Sequence, residues 1–154
     1  MSLNGVGDSV PINLESREIS AITCVADVAN SLNGLYFDLA DVGGPVRVWI
    51  NTSAGTAPAI PTEGRLLEVA VTTGSTDAAV GTFVRDALNT DGKFIVTLAT
   101  ATLTITDASP GLRTNISAGT STFTGASAAG SIAPATVFYK SLGTSDIVVA
   151  VAPN

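Results

Sequence analysis

The sequence predicts a mainly β protein: an antiparallel β-sandwich or a sheet of hairpins, with one α-helix packed on it and an extended N-terminal arm. Three observations carry this expectation. Apolar residues alternate at period two through most of the chain, turn-forming residues interrupt them at short intervals, and only one stretch switches to helical spacing.

Residues 1–16 alternate poorly and contain Gly5, Gly7 and Pro11, which reads as an arm with at most one short strand at its end. EISAITCV, residues 18–25, is strand-like, and ADVANSLNG after it is a turn region closed by Asn33-Gly34. In the next hairpin Leu35, Phe37 and Leu39 share one face, as do Val46, Val48 and Ile50 on the return strand. With ADVGGP as the connecting loop, Leu39 opposes Val46, Phe37 opposes Val48 and Leu35 opposes Ile50. The same register sets Asp38 against Arg47 and Tyr36 against Trp49. A slip of one residue would ruin both faces together.

RLLEVAVTT, residues 65–73, continues the pattern with Leu67, Val69 and Val71 inward and Glu68 outward. Val80, Phe83, Val84, Ala87 and Leu88 then follow i, i+3, i+4, i+7, i+8, the spacing of an amphipathic helix. Ser75 or Thr76 is the expected N-cap, Asp77 complements the positive helix start, and Asn89 with Asp91-Gly92 ends it. A second hairpin over 93–107 turns Phe94, Val96, Leu98, Leu103 and Ile105 inward and threonines outward. Residues 110–134 are rich in small residues, with weak alternation around Ile116 and Phe123, and read as one strand in a long loop. TVFYKSLGTSDIVVAVAP supplies a third hairpin, whose last strand, 147–151, is apolar on both sides, as expected of a strand covered on both faces. The reading gives two parts: the arm, 1–16, and a β-rich domain, 17–154, whose hairpin at about 135–152 is a candidate for assembly contacts.

Composition narrows the function. The chain has 154 residues, 45% hydrophobic and 13% charged, a balance that supports a packed core rather than disorder. Seven Lys plus Arg against thirteen Asp plus Glu leave no basic stripe for phosphates, so direct nucleic-acid binding is not expected. No secretory signal opens the sequence and no apolar run is long enough to span a bilayer, so no membrane association is expected. Cys24 is the one cysteine and has no partner within the chain. Synthesis in a reducing cytosol is the simplest account of it, and the sparse surface charge suggests that partners cover part of the protein.

The catalytic motifs fail on their chemistry. GDSV, residues 7–10, is the right shape for a serine nucleophile, but the chain contains no histidine to act as its base. NTDGK, residues 89–93, is half of a calcium loop without the bidentate glutamate. No phosphate loop, metal cluster or cofactor motif is present, so no catalytic, cofactor or metal residues are assigned and an enzyme is not expected. Asn51-Thr-Ser and Asn115-Ile-Ser match the glycosylation acceptor as chance matches in a Thr/Ser-rich chain.

What remains is the second face of the first hairpin. Tyr36, Trp49 and Arg47 are of the aromatic and arginine types that anchor interfaces, and Asp38 stands among them opposite Arg47. They are covered by the chain itself, through its arm or its helix, or else by another subunit; a sugar platform is a weaker third reading. Phe138, Tyr139, Ile147 and Val149 of the last hairpin join them as candidate interface residues.

ITCVADVANSLNGLYFDL, VRVWIN, GRLLEVAVTTGSTDAAVGTFVRDAL and TLTITDASPG together resemble a β-rich module recurrent in virion structural proteins of tailed bacteriophages. The likeness spans roughly residues 20 to 125, with a shorter first hairpin than the module's pattern. It implies a non-enzymatic virion protein, made in the host bacterial cytoplasm. A capsid decoration or cement protein is the leading role, binding itself as a small homo-oligomer and other virion proteins such as the major capsid protein. A tail-tube or neck-ring subunit is the alternative within that class, and a host- or glycan-binding fibre module the alternative outside it.

Overall fold

A computed structural model describes residues 17–111, 113–128, 137–141 and 147–151. The chain divides into two compact units, Arg17–Ser131 and a second formed by residues 1–16 with 132–154. The expected arm lies outside the described residues.

In the first unit the elements run β1 (Ile19–Thr23), β2 (Tyr36–Asp41), β3 (Gly44–Asn51), β4 (Arg65–Ala70), α1 (Asp77–Asp91), β5 (Phe94–Ala99), β6 (Thr102–Asp107) and β7 (Thr124–Ala128). They build a four-stranded sheet ordered β5-β6-β1-β7 and a three-stranded sheet ordered β2-β3-β4. The protein is thus mainly β with a helix packed on it, as the alternation predicts.

The β2–β3 register matches the sequence expectation, with Tyr36 opposite Trp49, Phe37 opposite Val48, Asp38 opposite Arg47 and Leu39 opposite Val46. Two-sided patterning explains that agreement, because both faces reject a slip. The next pairing departs from an all-antiparallel arrangement. β4 runs parallel to β3, with Val48 beside Leu67 and Ile50 beside Val69. Parallel neighbours need a crossover of about a dozen residues, and residues 52–64 supply it. Gly64 is required where this loop returns, since a Cβ there would lie 2.4 Å from the Pro45 carbonyl oxygen.

Both sheets turn their apolar faces to one core. Phe37, Val46, Val48, Ile50 and Val69 meet Ile22, Val96, Leu103 and Ile105, and Phe37 packs 5.7 Å from Phe123. Each large side chain buried completely contributes about 1.5–3 kcal/mol by leaving water. Helix α1 packs on β5 and reaches β4, burying Val80, Val84 and Leu88. Thr76 is its N-cap, accepting from the Ala79 amide, and Gly92 closes it in the left-handed conformation at φ 74°. The helix therefore ends at Asp91-Gly92, as the sequence predicts, and the Asn89 side chain is not used in the cap. Asn89 faces β5 instead: its side chain accepts from the Val96 N–H at 2.8 Å and donates to the Val96 carbonyl at 3.1 Å. That pair of bonds occupies the edge of β5 where the sheet would otherwise be open.

The weakly patterned segment after β6 joins the two sheets. Ser117 exchanges backbone bonds with Asp38 on the edge of β2, and the Thr120 and Ser121 amides donate to the Tyr36 carbonyl. Phe123 is buried beyond that point, and β7 then pairs with β1 through a bulge.

In the second unit the expected third hairpin forms as β8 (Val137–Ser141) and β9 (Ile147–Val151), antiparallel, with Tyr139 opposite Val149. The expected covering of its last strand on both faces lies outside what is described.

Candidate functional site

The second face of the β2–β3 hairpin is covered by the chain itself. Arg47 forks onto Asp38, with Nε donating to Oδ1 at 2.8 Å and Nη2 to Oδ2 at 3.1 Å. Its guanidinium lies 3.8 Å above the centre of the Tyr36 ring, and Nη1 donates to the Ala59 carbonyl at 2.9 Å. Hydrogen bonding to Asp38 raises the Arg47 pKa above its ordinary value. The bond to Ala59 shows that the 52–64 crossover folds back over this face. From the other side residues 117–121 lie on Tyr36. Gly119, at φ +55°, permits this, since a Cβ there would be 2.6 Å from the Tyr36 carbonyl oxygen and 2.9 Å from its ring.

Trp49 is 5% exposed, sealed inside the protein rather than offered to a partner. Tyr36 is half-buried, and the Asp38 and Arg47 side chains keep partial access to solvent. The structure thus brings together four of the predicted interface residues but sinks the largest of them. The crossover reaches Arg47, and the 117–121 segment reaches Tyr36 and Asp38; neither has a side-chain pattern announcing that role. Phe138, Tyr139, Ile147 and Val149 sit on β8 and β9 at the backbone positions given above, with their side chains outside the described residues.

Buried carboxylates that look scattered in the sequence are structural ties at three places. Asp27 is 2% exposed and accepts from the Leu32 amide through Oδ1 and the Gly74 amide through Oδ2, each at 3.0 Å. Arg65 bridges Asp41, at the end of β2, and Asp91, at the end of α1, with contacts of 2.7 Å to both. Burial opposes the Arg65 charge, but its hydrogen bonds to Asp91 and Asp41 outweigh that and raise its pKa. Asp91 belongs to the NTDGK stretch, so the half calcium loop is spent on closing the helix. Asp107 accepts from Arg113 Nε at 2.8 Å and from the Ser109 amide at 2.7 Å, while Glu18 Oε2 accepts from the Arg113 amide at 2.9 Å.

Glu18 Oε1 is buried and has no hydrogen-bond partner among the described residues. It belongs to the residues around a small cleft, with Ser20, Leu39, Phe94, Ile105 and Asp107, whose room of about 10 Å³ suits a single water. Among the described residues no group of three or more His, Cys, Asp or Glu side chains could hold a metal ion. Among them, too, no helix is long and apolar enough to cross a membrane. GDSV lies outside the described residues. The Asn51 amide of the first glycosylation match donates to Glu68 Oε1 at 2.6 Å.

Cys24 is buried, and burial, assisted by the negative charge of Asp77, pushes its thiol up from 9.0 to about 12. The nucleophilic thiolate is suppressed in the folded protein. At pH 8 a disulfide-exchange reagent is expected to leave Cys24 intact until urea unfolds the chain. Because the folded thiol holds its proton more tightly, its contribution to stability is complete below about pH 9 and is lost as pH rises towards 12. The loss amounts to about 1.4 kcal/mol per pH unit. Urea titrations from pH 8 to 10.5 should show a steeper alkaline decline for the wild type than for Cys24→Ala; identical slopes would place the thiol at the surface.

No family model, curated protein or solved structure matches the chain.

Proposed function

We propose that this protein is a non-enzymatic structural component of a tailed-bacteriophage virion, acting as a capsid decoration or cement protein. The observation that carries the non-enzymatic part is where the buried acid chemistry goes. Asp27, Asp41 and Asp107 are each taken up by backbone amides or arginines that fasten one loop to another. Catalysis needs the reverse, a base held within reach of a nucleophile or substrate at a cleft. The particle assignment is supported by the sequence resemblance of residues 20 to 125 to virion modules.

Mechanistically, a decoration protein works by repetition. Contacts that are individually weak become strong when many subunits engage neighbouring capsomers at once. Rigidity of the subunit then matters more than any pocket, and the Arg65 and Asp27 ties supply it. The test is to mix the purified protein with undecorated capsids. Stoichiometric lattice binding is the expected result. Failure to bind by a protein shown to be folded by circular dichroism would overturn the decoration role, and tubes or stacked rings of pure protein in electron micrographs would replace it with a tail or neck role.

A further inference from the structure

The cleft beside Glu18 holds a charge that its neighbours do not balance. Glu18 immediately precedes β1, and its carbonyl accepts from the Asp107 amide at 3.0 Å, which sets the two acids side by side on neighbouring strands. Both are buried, at 8% and 3% exposure, and both line the cleft. Like charges directly across a ladder repel. Arg113 answers Asp107, to which its guanidinium donates, while Glu18 Oε2 receives the Arg113 backbone amide. Among the described residues Glu18 makes no ion pair, and its Oε1 takes no hydrogen bond. Two carboxylates against one guanidinium leave a buried negative charge, which is costly without a counter-charge.

The cleft limits what can supply that counter-charge. Its room of about 10 Å³ suits one small ion rather than a polyatomic ligand. A water of that size could donate to Oε1 but would bring no charge. The side chains that carry polar atoms to the cleft, Glu18, Asp107, Ser20 and Thr114, all end in oxygen, the ligand type of hard cations. Magnesium demands a near-ideal octahedron and gives up its water reluctantly, whereas calcium tolerates an irregular oxygen set.

We infer that this cleft binds one calcium ion, with Glu18 Oε1 as the anionic ligand and Asp107 as the neighbouring negative charge. Two acids fall short of a three-acid set, so the affinity is that of weak sites, with Kd about 10⁻⁴–10⁻³ M. The ion ties the start of β1 to the segment after β6, two stretches already joined by the bridge between Arg17 and Gly111. This inference does not depend on the virion reading and is measured on the chain alone, so either can fail without the other.

Thermal unfolding of the full chain, stripped with a chelator, tests it in CaCl2 from zero to about 10 mM against NaCl at matched ionic strength. Calcium is expected to raise the midpoint by about 4 °C or more beyond the change in NaCl. Glu18→Gln keeps the shape, removes the charge and should abolish that rise. Ser20→Ala leaves both acids in place and should shift the response to higher calcium. Asp86→Asn removes a solvent-facing acid on α1 and should leave the response unchanged. Calorimetric titration of the wild type with CaCl2 should give one ion per chain. A midpoint that rises no further in CaCl2 than in NaCl overturns the inference and leaves the cleft to water. So does a rise that persists in folded Glu18→Gln, which puts the ion elsewhere, or an equal rise with MgCl2, which reduces the effect to screening of the net charge of −6. Where Glu18→Gln does not fold, Ser20→Ala decides, and a calcium response identical to the wild type's overturns the assignment.

Discussion

Trp49→Ala is expected to cost about 3–5 kcal/mol of folding stability, read as a lower urea midpoint with an unchanged slope. Trp49 sits on β3 between Tyr36 of β2 and Glu68 of β4 and is almost fully removed from solvent. Removing its indole leaves a void that the neighbouring strands, fixed by their ladders, fill only in part. Arg47→Ala, on the same face, should cost only about 1–2 kcal/mol, since it gives up a partly solvated ion pair and a cation–π contact. The chain has one tryptophan, so its fluorescence reports this position directly. Emission should be blue-shifted in the folded protein and move to the red on unfolding. A Trp49→Ala variant as stable as the wild type would show that the indole is not internal, and would return it to the candidate interface.

This result bears on what the sequence could reveal. The β2–β3 register was legible because four cross-strand pairs, two apolar and two polar or aromatic, agree on one alignment. The helix was legible from its spacing and its cap. The parallel β3–β4 pairing was not, since a crossover leaves no local turn signal and residues 52–64 read simply as a Pro-containing loop. The cover over Tyr36 was hidden for a similar reason. It depends on backbone bonds from residues 117–121 and on the missing side chain of Gly119, and neither produces a hydrophobic period. Sequence alone therefore located the face and its residues but could not decide what lies on it. The buried acids were missed because an aspartate beside a turn has the same sequence appearance whether it faces water or a backbone amide. Asp27, which precedes the VANS turn, carried the one available hint, since aspartate accepting from amides a few residues on is a common way to fasten a turn.

Asp27→Ala follows from that geometry and is expected to cost about 3–5 kcal/mol, because two amides lose a charged acceptor and hydrogen bonds to charged groups are worth about 1.5–3 kcal/mol each. Asp27 joins two loops distant in sequence: the turn leading to β2, through Leu32, and the turn leading to α1, through Gly74. Its own amide donates to the Ser75 carbonyl at 2.9 Å, so backbone and side chain make the same connection. Asp27→Asn tests the acceptor chemistry with little change in volume. A carboxamide can accept at only one of the two amides and sets an N–H against the other, so it should recover only part of the stability lost in the alanine variant. Hydrogen exchange distinguishes this local cause from general loosening. In both variants the Leu32 and Gly74 amides should lose protection ahead of the core strand amides, and fraying should reach the first turn of α1. If those two amides exchange no faster than in the wild type, they have other acceptors and Asp27 does not fasten the loops.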